Sequence, residues 1–273
     1  MASLPDQLLN AVIAGVRVFD LARPMVPGMP QSPNHPEFRH ALPRRHGDAM
    51  RADGGSAAND IITTGTHVGT HIDALCHVSH EGKLHGGYDA AAAQQGGRFS
   101  VHGVETIEPT LCRGVLLDVG ALHSGGFCPA GYEVTAADLQ AAAERQATTL
   151  LPGDAVLVRT GWGSRWEDRD AYLGRDSGVP GPGEEGAKWI ASHDPRFTGA
   201  DTIAFERLAP GAGHALLPAH RVLLVEHGIN IIETLALEEL AAARVNEFTF
   251  VIAPLPLVGA TGSPVRPLAV VSA

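Results

Sequence analysis

The chain has 273 residues, 44% of them hydrophobic and 18% charged, ordinary proportions for a soluble globular protein of one large domain or two small ones. Thirty acidic residues against twenty basic ones leave a formal net charge of −10, which argues against nucleic acid or an anionic membrane surface as partner. Arg44-Arg45 is the one local basic cluster of note, too small for a phosphate footprint.

In chain order, Asp6–Val16 (DQLLNAVIAGV) reads as a short helix. The N-terminal stretch lacks a basic start followed by an apolar core, so it does not read as a signal peptide. No apolar run approaches the ~18 residues of a membrane span. From Pro24 to Gly55 the chain is rich in Pro, His, Arg and Gly and reads as a long loop or flap. A β-branched strand begins near Ile61, and Arg113–Gly120 (RGVLLDVG) is a buried strand bounded by glycine. Thr135 opens the clearest helix, with Asp138 placed to complete a capping box. Gly153–Trp162 is another core strand, and Pro182-Gly183 starts a second helix with acidic residues in its first turn. Ala200–Glu206 (ADTIAFE) reads as a strand, and Pro218–Glu233 as a helix that breaks at Gly228 before a strand. Phe248, Phe250 and Ile252 alternate on one face of a half-exposed strand. Strands and helices mix without a regular βαβ repeat, and no long linker divides residues 1–273. A single domain of α/β or α+β class is expected.

The segment Thr66–His85 (THVGTHIDALCHVSHEGKLH) holds five of the fourteen histidines. His67, His71 and Asp73 offer two imidazoles and one carboxylate, a common set for zinc or manganese. On a helix Asp73 would point away from His71. On a straight strand His67 and His71 would lie ~13 Å apart at ~3.3 Å per residue. Neither closes three ligands on one ion, so Gly65 and Gly69 must bend the backbone into a kinked strand or loop. A histidine-rich surface loop is the plainer alternative, but two His and an Asp among glycine and threonine favour a metal. Three protein ligands leave positions open for water, as a catalytic site requires. A water on such an ion has a pKa near ~7 and is a nucleophile at neutral pH. His77, four residues past Asp73, is placed for a second-shell contact, a second metal or proton transfer. His80 and His85 read as loop histidines. The cysteines Cys76, Cys112 and Cys128 have no zinc-finger spacing, which fits a reduced cytoplasm, with Cys76 a buried, inert thiol.

HVGTHIDALCH resembles the HxGTHxDxxxH signature of the metal-dependent cyclase-like hydrolase family, which includes bacterial kynurenine formamidases and isatin hydrolases. VFDLARPMVPGMP, RGVLLDV, GDAVLVRTGW, GADT, AHRVLLVEHGINIIETLALEEL and APLPLVGATGSPVRPLAVV follow in the family's order, so the resemblance covers nearly the whole chain. It implies a swivelling β/β/α cyclase-like fold, a homo-oligomer (dimer or tetramer), and His67, His71 and Asp73 as ligands of Zn2+ or Mn2+. His77 matches the family's catalytic histidine, a proton acceptor in some members and a second-metal contact in others. Glu233 matches an acidic residue that binds or supports the metal, and His220 resembles the histidine upstream of it. Leu75 stands where formamidases have proline, which sets the chain apart from them.

Glu233 follows Ile231-Ile232 and precedes Leu235, apolar company in which a carboxylate needs a partner; its strand should run beside His67–His77. Trp162 and Arg159 are candidates for a substrate pocket, with core packing the alternative for Trp162. Asp201 and Thr202 read as structural. The expected activity is opening of an amide or cyclic amide C–N bond in a small aromatic or carboxylate-bearing compound. A lactonase or ester hydrolase on the same metal is the enzymatic rival. A non-catalytic metal- or ligand-binding protein of the same fold is the rival from another class.

Overall fold

The apolar runs at Arg113–Gly120 and Gly153–Trp162 become neighbouring strands at the centre of one large sheet. The computed structural model describes residues 4–273. Its strands are β1 (Val16–Asp20), β2 (Arg39–Arg44), β3 (Asn59–Thr63), β4 (His71–Asp73), β5 (Gln94–Gln95), β6 (Arg98–Phe99), β7 (Thr110–Asp118) and β8 (Glu133–Val134). They continue with β9 (Ala155–Arg159), β10 (Gly181–Pro182), β11 (Phe197–Ala200), β12 (Asn230–Glu233), β13 (Glu247–Ile252), β14 (Gly262–Pro264) and β15 (Leu268–Ser272). Nine of them form a sheet in the order β1-β15-β13-β7-β9-β11-β12-β4-β14. The four central strands β7, β9, β11 and β12 are parallel, and antiparallel strands complete both sides.

Alternation along the central strands feeds two cores. Val115, Leu117, Val156 and Val158 face the helices Ala136–Gln146 and Glu184–Ala191, meeting Leu139, Ala142, Ala187 and Ile190. Leu116, Leu157, Phe197 and Phe250 face the opposite way. They share a core with Phe19 of β1 and Ile72 of β4, strands near opposite edges of the sheet. A flat sheet keeps its edges apart, so the sheet is curled around this core. Each of these side chains contributes about 1.5–3 kcal/mol by leaving water. Gly114 lies opposite Phe248 in the β7–β13 register, and a Cβ there would run into the phenyl ring.

The Thr135–Asp138 capping box is present: Thr135 Oγ1 accepts from the Asp138 amide at 3.2 Å, and Asp138 Oδ2 accepts from the Thr135 amide at 2.9 Å. The helix at Pro218–His220 runs on as a π-helix to His227, where Gly228 ends it at φ +69°. Phe248, Phe250 and Ile252 are the buried face of β13.

Two segments differ from expectation. Residues 24–55 are not loop throughout: Arg39–Arg44 pairs with Asn59–Thr63 in an exposed hairpin. Ala200–Glu206 is not a strand beyond Ala200. There the Asp201 carboxylate accepts from Thr160 N, Thr160 Oγ1 and Gly161 N at 2.7–2.9 Å, which draws the chain out of the ladder into turns. Asp201 is structural, as expected. Among the described residues no helix is long and apolar enough to cross a membrane. The three cysteines are free, and burial pushes the Cys76 and Cys128 thiols up to about 12, beyond use as nucleophiles at neutral pH.

Candidate active site

Strand β4 lies between β12 and β14, and His71 and Asp73 project from the same face of it. The residues before it form a turn with Gly69 at φ +69°. That turn folds His67 back, so that ligand atoms of His67, His71 and Asp73 lie within 4.8 Å of one another. The backbone bends where the spacing required it. Gly262 sits opposite Asp73 in β14, and a Cβ there would lie 2.7 Å from His67 Cε1. Only glycine leaves room for that ring.

Glu233 ends β12 directly across from His71, and its strand does run beside the histidine segment. His220, on the helix before β12, comes to the same place. His71 Nε2 lies 3.5 Å from Asp73 Oδ1 and 3.4 Å from Glu233 Oε2. His220 Nε2 lies 3.5 Å from Asp73 Oδ2 and 3.2 Å from Glu233 Oε1. Two imidazoles and two carboxylates thus alternate around one point, all buried. Despite these short separations, Asp73 Oδ2 and Glu233 Oε1 have no aligned hydrogen-bond donor. These contacts use both oxygens of each carboxylate, and the sets whose single ligand atoms lie within 4.8 Å of one another are His67, His71 and Asp73, and Asp73, His77 and His220. The donor set fits a divalent cation.

The other ring nitrogens fix the orientation. His71 Nδ1 donates to the Gly69 carbonyl at 2.8 Å, and His220 Nδ1 donates to Glu206 Oε1 at 2.7 Å. A carbonyl and a carboxylate only accept, so Nδ1 carries a proton in both rings and Nε2 of each faces the carboxylates. Glu206 is itself buried and also accepts from the amides of Ala219 and His220. His67 differs. Its Nδ1 donates to Asp73 Oδ1 at 2.7 Å and its Nε2 accepts from Thr261 Oγ1 at 2.8 Å. To act as a ligand, one of those nitrogens must exchange its partner.

Burial raises the Asp73 and Glu233 carboxyls, but surrounding histidines outweigh it, holding Asp73 well below and Glu233 below the usual carboxylate range. Conversely, burial depresses His71 and His220, but hydrogen bonding and charge from the carboxylates raise both, His220 strongly. Two buried carboxylates demand positive charge, and protons on these imidazoles or a cation between them can provide it. His77 contrasts with them: burial lowers it to about 3, so it is neutral, and its ring stacks on His67 at 3.8 Å. Among the described residues its side chain makes no hydrogen bond, yet one ligand atom comes within 4.8 Å of Asp73 and His220 donors. A neutral imidazole with open nitrogens can accept a proton.

Three neighbours escaped the sequence. Glu206 sat in a stretch read as a strand, and Thr261 lies 194 residues from His67. His35 comes from the Pro24–Gly55 segment and stacks on His67 with ring centroids 5.2 Å apart; the Pro- and His-rich SPNHPEF was the only hint. Both substrate-pocket candidates have partners of their own. Trp162 is core, 1% exposed, with Nε1 donating to the Tyr172 carbonyl at 2.8 Å. Arg159 is held by Asp118 at 2.6 Å. His85 is structural, its Nδ1 on the Val225 carbonyl at 3.0 Å.

Comparisons with known proteins agree with this architecture. Isatin hydrolase from Roseibium aggregatum is 29% identical over 138 residues, 50% of this chain and 51% of the relative; the match thus spans about half of that protein's length. A crystal structure described as a novel cyclase superposes with a TM-score of 0.85 at 30% identity, covering 98% of this chain and 93% of the other. Isatin hydrolase A from Ralstonia solanacearum shares the fold, with a TM-score of 0.74 at 24% identity over 99% and 98% of the two chains. The sequence model described as putative cyclase matches residues 19–207, more than half of the chain, and the protein belongs to the cyclase family.

Proposed function

We propose that this protein is a metal-dependent hydrolase that opens the C–N bond of an amide or cyclic amide in a small aromatic or carboxylate-bearing compound. The observation that carries the reading is the ring of His71, Asp73, His220 and Glu233. Two Nε2 atoms 3.2–3.5 Å from two buried carboxylates, with Asp73 Oδ2 and Glu233 Oε1 left without an aligned donor, make poor sense as a hydrogen-bond network. His67 completes the set on the Asp73 Oδ1 side. The isatin hydrolase relative supports a hydrolytic use.

His67, His71 and Asp73, with His220 and Glu233, would hold a divalent cation, Zn2+ or Mn2+, which when bound would supply Lewis acidity towards a carbonyl and a water. The chain's residues supply the rest. Gly69 and Glu206 hold the Nδ1 protons of His71 and His220 outward, so neither ring needs to reorient during turnover. His77, whose ring nitrogen lies within 4.8 Å of Asp73 and His220 donors, takes the proton from the attacking water and returns it to the leaving nitrogen.

The test is a panel of lactams, lactones and N-formyl amines, assayed on chelated protein and after Zn2+ or Mn2+ is restored. Turnover of an amide or lactam that needs the metal and is lost in His71→Ala is the expected result. Turnover confined to lactones would move the reaction to C–O bonds. Equal metal content and activity in His71→Ala would remove the metal site as proposed.

A further inference from the structure

Strand β12 ends at Glu233, which stands opposite His71 in the antiparallel ladder with β4. One residue further, Thr234 would stand opposite Thr70, but the pairing stops there. The chain turns instead at Thr234, with φ +59°, the one β-branched residue at a left-handed φ among the described residues. Such a side chain is crowded against its own backbone, and the conformation persists only where surrounding contacts over-determine it. The Thr234 hydroxyl does not offset this, because the residue is 1% exposed and its Oγ1 has no aligned hydrogen-bond partner.

The contacts that hold the turn come from three other segments. Thr234 N donates to the Thr202 carbonyl at 3.0 Å, and Leu235 N to the Ala200 carbonyl at 3.0 Å. The Leu235 carbonyl accepts from the Arg23 guanidinium at 3.2 Å. The Thr234 carbonyl accepts from Thr70 Oγ1 at 2.7 Å. Of these partners only Thr70 belongs to the donor-bearing segment, between Gly69 and His71. It is 2% exposed, and its hydroxyl also accepts from Arg23 N at 2.9 Å. A side-chain hydroxyl thus replaces the backbone pairing at the point where β4 and β12 part, immediately beyond His71 and Glu233.

That closure acts on Glu233. Its Oε1 lies 3.2 Å from His220 Nε2 and its Oε2 3.4 Å from His71 Nε2, spacings that a flexible carboxylate side chain keeps only while its Cα is fixed. Relaxation of Thr234 to an extended φ would redirect the chain after Glu233 and loosen the last pair of the ladder. We infer that Thr70 is a positioning residue: its hydrogen bond to the Thr234 carbonyl holds the left-handed turn after β12 and so fixes the Glu233 carboxylate opposite His71 in the donor cluster. Thr70 acquires this role through the metal-site reading above, on which the inference rests. Serine can make the same bond, whereas valine has the shape of threonine without the donor.

Chelator competition measures Zn2+ affinity, and the melting temperature of the metal-free protein reports stability separately. Thr70→Val should weaken Zn2+ about 10–100-fold, the span of outer partners of metal ligands, and change the visible absorption of the Co2+-substituted protein. Thr70→Ser should restore both. Thr198→Val is the control. It removes another fully buried hydroxyl bonded to a carbonyl, that of Val156 at 2.9 Å, and should lower the melting temperature with Zn2+ affinity and Co2+ absorption unchanged. The double variant Thr70→Val/Thr234→Gly separates the turn from the bond, because glycine holds a positive φ unaided. It should fold and bind Zn2+ within about tenfold of the parent, and it decides the matter if Thr70→Val alone does not fold. Parental Zn2+ affinity in Thr70→Val, no recovery in Thr70→Ser, an equal loss of affinity in Thr198→Val, or a double variant that is unfolded or weaker than that limit would overturn the inference. Parental affinity in His71→Ala as well would mean that the metal site itself has failed. Metal lost in His71→Ala but held normally by Thr70→Val removes the role of Thr70 alone.

Discussion

Glu206→Gln probes how His220 is presented to the donor cluster. In the native site Oε1 accepts from His220 Nδ1 at 2.7 Å and His220 N at 2.9 Å, and Oε2 accepts from Ala219 N at 3.1 Å. Glutamine keeps the shape but only one accepting oxygen, so its NH2 must face a donor on one side. A hydrogen bond to a charged group is worth about 1.5–3 kcal/mol, and an unsatisfied buried group costs about 1–3 kcal/mol. With the oxygen towards His220, the loss falls on the Ala219 amide, and the protein should fold with a melting temperature a few degrees lower. Even so, a neutral amide holds the imidazole less strongly than a carboxylate does, and Nε2 becomes a weaker, less fixed donor. Outer partners of this kind change metal affinity about 10–100-fold, equivalent to ~1.4–2.8 kcal/mol. Chelator competition with Zn2+ measures the affinity, and thermal denaturation of the metal-free protein separates it from stability. A folded Glu206→Gln protein with parental Zn2+ affinity would refute the placement of His220 among the ligands.

His77→Ala should lower kcat by ~10²–10⁴-fold, the span of a general acid–base group, with metal content retained; a parallel loss of metal would make His77 a ligand of a second ion. Gly114→Ala, by contrast, should leave metal affinity alone and lower the urea midpoint by the equivalent of about 1–3 kcal/mol, because the Phe248 ring must shift from its place over β7. An unchanged midpoint would mean that the sheet gives way more easily at that register than its burial implies.

The core strands were legible because burial on both faces leaves one signal, a continuous apolar run between glycines, and β7 and β9 carry it plainly. The helix at Ala136–Gln146 was legible through its cap, a local feature needing nothing from the rest of the chain. Ala200–Glu206 misled because its apolar residues are buried as a strand's would be, yet the Asp201 carboxylate satisfies amides of a neighbouring segment and forces turns. The competing acceptor is visible in the sequence, but its partners are not: Thr160 lies 41 residues away. Strand β3 was legible from its β-branched residues near Ile61, but its partner β2 and their hairpin were hidden for a different reason. Every residue in both strands is exposed, so no alternation of apolar and polar positions marks β2 or sets its pairing with β3.

The same division runs through the site. His67, His71 and Asp73 are separated by so few residues that only a bend lets them meet, and the glycine that makes the bend lies between them. Glu233 declared itself through its apolar neighbours, because a carboxylate carried into a core by Ile231 and Ile232 must find a cation or a donor there. Glu206 also sits among apolar residues and is just as buried, but it faces His220 rather than the cluster's centre. Apolar residues precede both acids in the sequence, and the path of the chain after Asp201 decides which carboxylate enters the ring of donors and which stands behind an imidazole. The inner and outer acids are therefore distinguished by register: β12 sets Glu233 opposite His71, while the turn that begins at Asp201 withdraws Glu206 from the sheet and leaves it accepting three hydrogen bonds at the start of the helix that carries His220.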